Sequence, residues 1–172
     1  MFHRLDINLQ PGDIFCTRNP MALGRAINAI QTFWASDNES KYSHAGIILD
    51  TEGTTYEALW TIKEQNLEEA YIGCGVLIGR THFMTRAKFE AGLAEVLPFE
   101  GRIYPFHRLA LHLIPPMAKY ISTGQYLVCS ELTARFLVGA KCMTSWRGKN
   151  PDHLADMIRK WRTWKVVFEG VM

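Results

Sequence analysis

Residues 44–60 leave the backbone little choice. Two largely apolar runs, HAGIILD (44–50) and TTYEALW (54–60), are separated only by Thr51, Glu52 and Gly53. A connection this short joins antiparallel strands, and a glycine within it supplies the turn conformation that other residues resist, so the spacing predicts a β-hairpin. The register of that hairpin decides chemistry, because side chains opposite one another on antiparallel strands lie on the same face. If paired residues have numbers summing to 101, His44 faces Glu57 directly, and sums of 103 or 105 offset the two along one face. Any even sum sends them to opposite faces. The loop alone does not choose. An odd register lets Glu57 hold one imidazole nitrogen while the other points elsewhere, which is the arrangement a histidine base needs.

The rest of the chain alternates short strand-like runs with helical stretches, without repeats or low-complexity segments, so the class is mixed α and β. After the turn signal QPGD, the run IFCT reads as a strand, and MALGRAINAIQTFW spaces Leu23, Ile27, Ile30 and Trp34 as a helix would. The polar loop ASDNESKYS precedes the hairpin, and an acidic connector separates it from a further strand, VLIGRT. Residues 86–97 repeat apolar groups at Phe89, Leu93 and Val96, with Pro98 closing that helix. In NPDHLADMIRKW, Asn150 is a candidate N-cap and Pro151 fits the first helical position, before the strand-like WKVVFE. At 172 residues the chain is read as one domain, residues 1–172, long enough to bury a core without staples.

Composition excludes more than it selects. A net charge of +2 is too small for a nucleic-acid surface or a polybasic membrane anchor. Cys16, Cys74, Cys129 and Cys142 are widely spaced with no CxxC pair, which favours reduced thiols over a zinc ribbon or a disulfide framework. His107 and His112 lie five apart and so do not share a helical face as a zinc pair would. The first residues, MFHRLDINLQPGDIF, carry charges where a signal peptide has its apolar core, and no stretch approaches the roughly 20 apolar residues of a membrane span. The default expectation is a cytoplasmic protein, with delivery by a virion, a partner protein or lysis left open. Oligomeric state is not legible.

One cysteine is placed differently from the others. The stretch YLVCSELTARF (126–136) puts Cys129 between an apolar run and good helix formers, with Leu132 and Phe136 on one face and Gly139 as a C-terminal stop. At a helix N-terminus, the dipole and unpaired N–H groups lower a thiol pKa, and a nearby imidazolium lowers it further. The same N–H groups can hold an oxyanion. Taken singly, Cys129 is more often a packed core residue, His44 a hydrogen-bonded strand-end histidine and Glu57 a solvated strand residue. Tyr42 and Tyr126 flank the two motifs and fit either an oxyanion donor or ordinary packing. Trp146, Trp161 and Trp164 read as core or surface packing.

The order PGDIF, YSHAGIILD, YEALW, VCSELTARF resembles the circularly permuted branch of the NlpC-type papain-like cysteine hydrolases, the YiiX/YaeF-type proteins, a group related to the lecithin:retinol acyltransferase-like proteins. In unpermuted relatives the cysteine helix comes first, whereas here Cys129 follows His44 by 85 residues. The resemblance spans roughly residues 10–140 and implies an α+β, papain-like, permuted fold with an antiparallel sheet packed against the cysteine helix. It also implies Cys129 as nucleophile, His44 as general base and Glu57 as the residue orienting the base, and it is the trio in family order that favours catalysis. GRIYPF is similar to the family's aromatic stretch ahead of the cysteine, while PFHRLALHLIPPMAKYISTG matches nothing in it and would shape a pocket particular to this chain. The implied reaction is amide hydrolysis by a peptidase or amidase through a covalent thioester, without metal or organic cofactor. Substrates would be cell-wall peptides, other amides or lipid esters. Two alternatives stay open: a lipid acyltransferase or thiol esterase using the same triad, and a non-catalytic binding module on the same scaffold.

Overall fold

The computed structural model describes residues 7–18, 41–59, 61–102 and 128–172. Among these, six strands form one sheet: β1 (Ile14–Thr17), β2 (His44–Ile48), β3 (Thr54–Ala58), β4 (Ile62–Asn66), β5 (Gly75–Thr81) and β6 (Trp164–Val171). Their order is β4-β3-β2-β1-β5-β6, and every neighbouring pair is antiparallel. Four helices accompany them: α1 (Leu67–Ala70), α2 (Arg86–Val96) running into a 3₁₀ turn (Leu97–Phe99), α3 (Cys129–Gly139) and α4 (Pro151–Lys160). The class is therefore α+β. The helix expected over residues 21–34 lies outside the described residues, as do His107, His112, Tyr126 and the segment 103–124.

The hairpin forms where its spacing requires. Gly53 takes φ +83° in the turn, and Asp50 Oδ1 accepts from the N–H groups of Glu52 and Thr54, both at 2.9 Å, closing the loop. Ile47 pairs with Tyr56 and Ile48 with Thr55, a register summing to 103. The ladder between β2 and β3 stops there, so the strands part toward His44.

The sheet has two apolar faces because its strands alternate. Ile14, Cys16, Ala45, Ile47 and Leu77 meet Leu132 and Phe136 of α3 and Leu154 and Ile158 of α4 on one side. Phe15, Ile48, Val76 and Ile78 join Leu9, Leu67 and Tyr71 on the other. The QPGD turn is tied in by charge: Arg80 Nε and Nη2 donate to the two Asp13 carboxylate oxygens, each at 2.7 Å, joining the start of β1 to β5.

Two expectations need correction. The acidic connector is in fact β4 followed by α1, with Asn66 capping the helix by accepting from Glu69 N–H at 3.1 Å. IKEQN is an edge strand whose Lys63 and Glu64 face solvent, so it lacks the apolar alternation that marks half-buried strands. Gly139 does not stop α3. It is the last helical residue, and the left-handed turn beyond falls on Lys141, at φ +55°. What Gly139 provides is closeness, since a Cβ there would come within 3.1 Å of the Ala91 carbonyl on α2.

Candidate active site

The parted end of the β2–β3 hairpin receives the first residue of α3. His44 opens β2 and Glu57 lies on β3. The 103 register offsets them by one diagonal on a shared face, within reach of these long side chains. His44 Nε2 and Glu57 Oε2 are 2.6 Å apart. Gly46, which the register sets across from Glu57, makes this fit possible: a Cβ on it would lie 2.5 Å from the Phe15 ring and 3.1 Å from Glu57 Cβ.

Cys129 is the first residue of α3, behind Val128 at the N-cap, whose side chain offers no capping acceptor. The first-turn N–H groups of a helix have no intrahelical acceptor and carry its positive end. His44 and the backbone N–H groups of Ala45 and Ser130 lie close enough to the thiol to act on it by charge and hydrogen bonding. The Ala45 donor follows from the parted hairpin. Leu49 N–H, four residues along, donates to Thr54 on β3, and the two-residue period points Ala45 N–H the same way, beyond the point where the ladder to β3 ends. With Nε2 committed to Glu57, Nδ1 is the nitrogen left for the thiol.

All three groups are buried, with Cys129 at 6%, His44 at 3% and Glu57 at 0% exposure. Burial alone opposes every charge here. Against it, the charge and hydrogen bond of His44, with the Ala45 and Ser130 N–H groups, hold the Cys129 thiol below its ordinary pKa. Burial likewise pulls the imidazole down, but Cys129 and Glu57 outweigh it and raise His44 to about 10. Glu57 is held below the ordinary carboxylate range, its burial offset by His44 first and then by Thr55 and Tyr71. The arrangement favours a thiolate–imidazolium pair backed by a carboxylate.

Two partners of that carboxylate were not anticipated. Thr55 Oγ1 donates to Glu57 Oε1 at 2.5 Å, and the Tyr71 hydroxyl makes a short hydrogen bond to Oε2, the oxygen that also faces His44. Thr55 was findable, because residues two apart on a strand share a face. Tyr71 follows α1 and carries no motif that points to the site.

The remaining candidates stand elsewhere. The Tyr42 hydroxyl accepts from Arg159 Nη2 at 2.9 Å and lies 3.5 Å from Glu169 Oε1, so it braces α4 and β6 against the approach to β2. Cys16 is fully buried and its thiol points at the Pro151 carbonyl, 3.5 Å away; burial, then the charges of Cys129 and Asp152, raise its pKa. Cys74 is buried and Cys142 half-buried. Trp164 is core, Trp161 is half-exposed, and Trp146 packs under the Arg135 guanidinium at 4.0 Å. Among the described residues no helix is long and apolar enough to cross a membrane.

No protein-family model matches this chain, and no curated protein matches it. Among solved structures it is similar to the crystal structure of the metalloprotein YiiX from Escherichia coli O157:H7, DUF1105, with a TM-score of 0.61 and 15% sequence identity. The likeness covers 96% of this chain and 99% of that one. The chain thus shares the fold of YiiX along nearly its whole length, in keeping with the YiiX-type resemblance carried by its motifs.

Proposed function

We propose that this protein is a cysteine-dependent amide hydrolase, a peptidase or amidase of the permuted NlpC-type papain-like kind. The observation that carries the reading is the convergence of Cys129, His44 and Glu57 at a helix N-terminus, with backbone donors already on the sulfur. In the resting pair the thiolate is formed and His44 holds its proton. The thiolate attacks an amide carbonyl, and the N–H of Cys129, lacking an intrahelical acceptor, holds the tetrahedral oxyanion. His44 Nδ1 then gives its proton to the leaving amine as the C–N bond breaks, leaving a thioester on Cys129. Water, losing a proton to His44, attacks the thioester and releases the acid and the thiolate. Glu57 keeps Nε2 protonated throughout and steadies the imidazolium. Esters and thioesters would pass through the same acyl intermediate.

YiiX is a metalloprotein, which raises the question of whether these residues suit a metal. Among the described residues no group of three His, Cys, Asp or Glu side chains has the arrangement that holds a metal ion. The Glu57 oxygens are turned to Thr55, Tyr71 and His44. Among the described residues the donor set does not fit a metal centre.

The test is acyl-enzyme trapping. Small amide, ester and thioester donors are each mixed with the protein, acid-quenched within milliseconds to seconds, and mapped by mass spectrometry. The reading expects an acyl adduct on Cys129 and turnover that falls by about 10²–10⁴ in His44→Ala, the usual worth of a general acid–base group. No adduct from any donor class, with a fully folded protein, would overturn it in favour of a binding module.

A further inference from the structure

Tyr71 touches two members of the trio at once. Its hydroxyl donates to Glu57 Oε2, the same oxygen that His44 Nε2 faces at 2.6 Å. Its ring lies beside the imidazole, with centroids 6.0 Å apart, and against Phe15 at 5.4 Å. Gln65 Nε2 donates to the same hydroxyl at 3.4 Å, which leaves the Tyr71 proton to Glu57. The tyrosine arrives from outside the hairpin: α1 ends at Ala70, and Tyr71 N–H bonds back to the Leu67 carbonyl at 3.1 Å.

Building on the hydrolase reading, we propose that Tyr71 is a positioning residue that acts through Glu57, keeping its buried carboxylate ionised and aimed so that His44 stays protonated at Nε2. The reasoning concerns where a proton sits. A carboxylate with no exposure needs donors, because its charged form has no water to hold it. Three donors converge on Glu57: His44 Nε2, the Thr55 hydroxyl and the Tyr71 hydroxyl. Remove the Tyr71 hydroxyl, and the cheapest repair is for Glu57 to take the proton it shares with His44. The imidazole is then neutral, and Cys129 loses the cation beside it. Tyr71 remains a donor over the working range because burial, and then the charge of Glu57, raise its own pKa.

Other ionisable groups around this point are accounted for. Lys63 lies across from Glu57 on β4 with an exposed side chain, Cys74 lies near Tyr71, and Cys16 lies near Cys129 behind β1. The Glu57 oxygens bond instead to His44, Thr55 and Tyr71. The Tyr71 hydroxyl is engaged by Glu57 and Gln65, and the charge of Cys129 reaches it without a hydrogen bond between the two, so its part is positioning.

The experiment is a double-mutant cycle read by Cys129 alkylation with iodoacetamide across pH 4–10. The four proteins are the wild type, Tyr71→Phe, Glu57→Gln and the double variant, with circular dichroism and thermal melts confirming that each is folded. Tyr71→Phe should slow Cys129 alkylation near pH 6 by about tenfold or more, the worth of one hydrogen bond to a charged group. Its acid limb should shift to higher pH, and the substitution should add nothing in the Glu57→Gln background. A Tyr71→Phe protein with the wild-type pH profile would overturn the proposal while leaving the hydrolase reading intact. An equal effect with and without Glu57 would overturn it as well, by showing that Tyr71 acts only through packing. A wild-type Cys129 with no reactivity on the acid side would instead sink the hydrolase reading, on which the proposal rests.

Discussion

Cys129 and Cys16 lie on the same side of the sheet and are both buried, yet their surroundings drive them in opposite directions. Cys16 meets a carbonyl and neighbouring negative charge, which favour the thiol. Cys129 meets an imidazole and two N–H donors, which favour the thiolate. The pH dependence expected of the proposed hydrolysis follows from these signs. As pH rises through the lowered pKa of Cys129, the thiolate forms and activity rises at pH values where an ordinary thiol is still protonated. As pH rises further, through about 10, His44 loses the proton it must give to the leaving group, and activity falls. Glu57→Gln removes a contribution that raises the His44 pKa, so the alkaline limb should move to lower pH. A pH–rate profile of both proteins on one amide or ester substrate checks this. An alkaline limb in Glu57→Gln at or above the wild-type position would contradict it.

The site depends on close approaches between elements, and two glycines test them. Gly46→Ala would push a methyl into the Phe15 ring and toward Glu57. Because Glu57 is displaced relative to His44, activity should fall by more than stability does, and kinetics compared with thermal melts will show the split. Gly92→Ala strikes the α2–α3 contact, where a Cβ would come within 2.7 Å of the Phe136 ring and 2.8 Å of its carbonyl. Overpacking of this kind costs about 1–3 kcal/mol, which denaturant unfolding will measure. These elements differ in how plainly the sequence announces them. The hairpin, α2, α3 and α4 carry turn residues, caps or apolar periods that act locally, so their residues suffice to find them. β4 has no such mark, since an edge strand of Ile, Lys, Glu, Gln and Asn is held by its ladder to β3 rather than by its own pattern. The hairpin register lay among three odd values because a short loop fixes that the strands pair, not which residues do. Tyr71 was invisible for the same reason: its distance from Glu57 is set by how α1 folds back on the sheet. That His44 and Glu57 could meet was legible from the hairpin, whereas Thr55 and Tyr71 were not anticipated as partners of Glu57.

At the scale of the whole molecule, the site is assembled from distant parts of the chain, with His44 and Glu57 from one hairpin and Cys129 from a helix far along. The sheet must therefore be whole for the proposed chemistry to be possible. Asp13 is a place to test this, being 1% exposed and paired through both oxygens with Arg80 from a strand 67 residues on. Asp13→Ala leaves the Arg80 guanidinium without its buried partner and should destabilise the fold by about 3–5 kcal/mol, measured by denaturant unfolding. A loss under about 1 kcal/mol, the worth of an exposed pair, would show that the pair does not hold β1 to β5. The central claim is that His44 makes Cys129 a thiolate in the folded protein. The measurement that reaches it most directly is the rate of iodoacetamide labelling of all four cysteines in the native chain, followed by mass spectrometry from pH 4 to 10, in the wild type and in His44→Ala. The account predicts that Cys129 labels selectively near pH 6 and that His44→Ala moves its labelling toward the ordinary thiol range near pH 8.5. Labelling of Cys129 no faster than that of Cys16, Cys74 and Cys142, rising only near pH 8.5 and indifferent to His44, would contradict it.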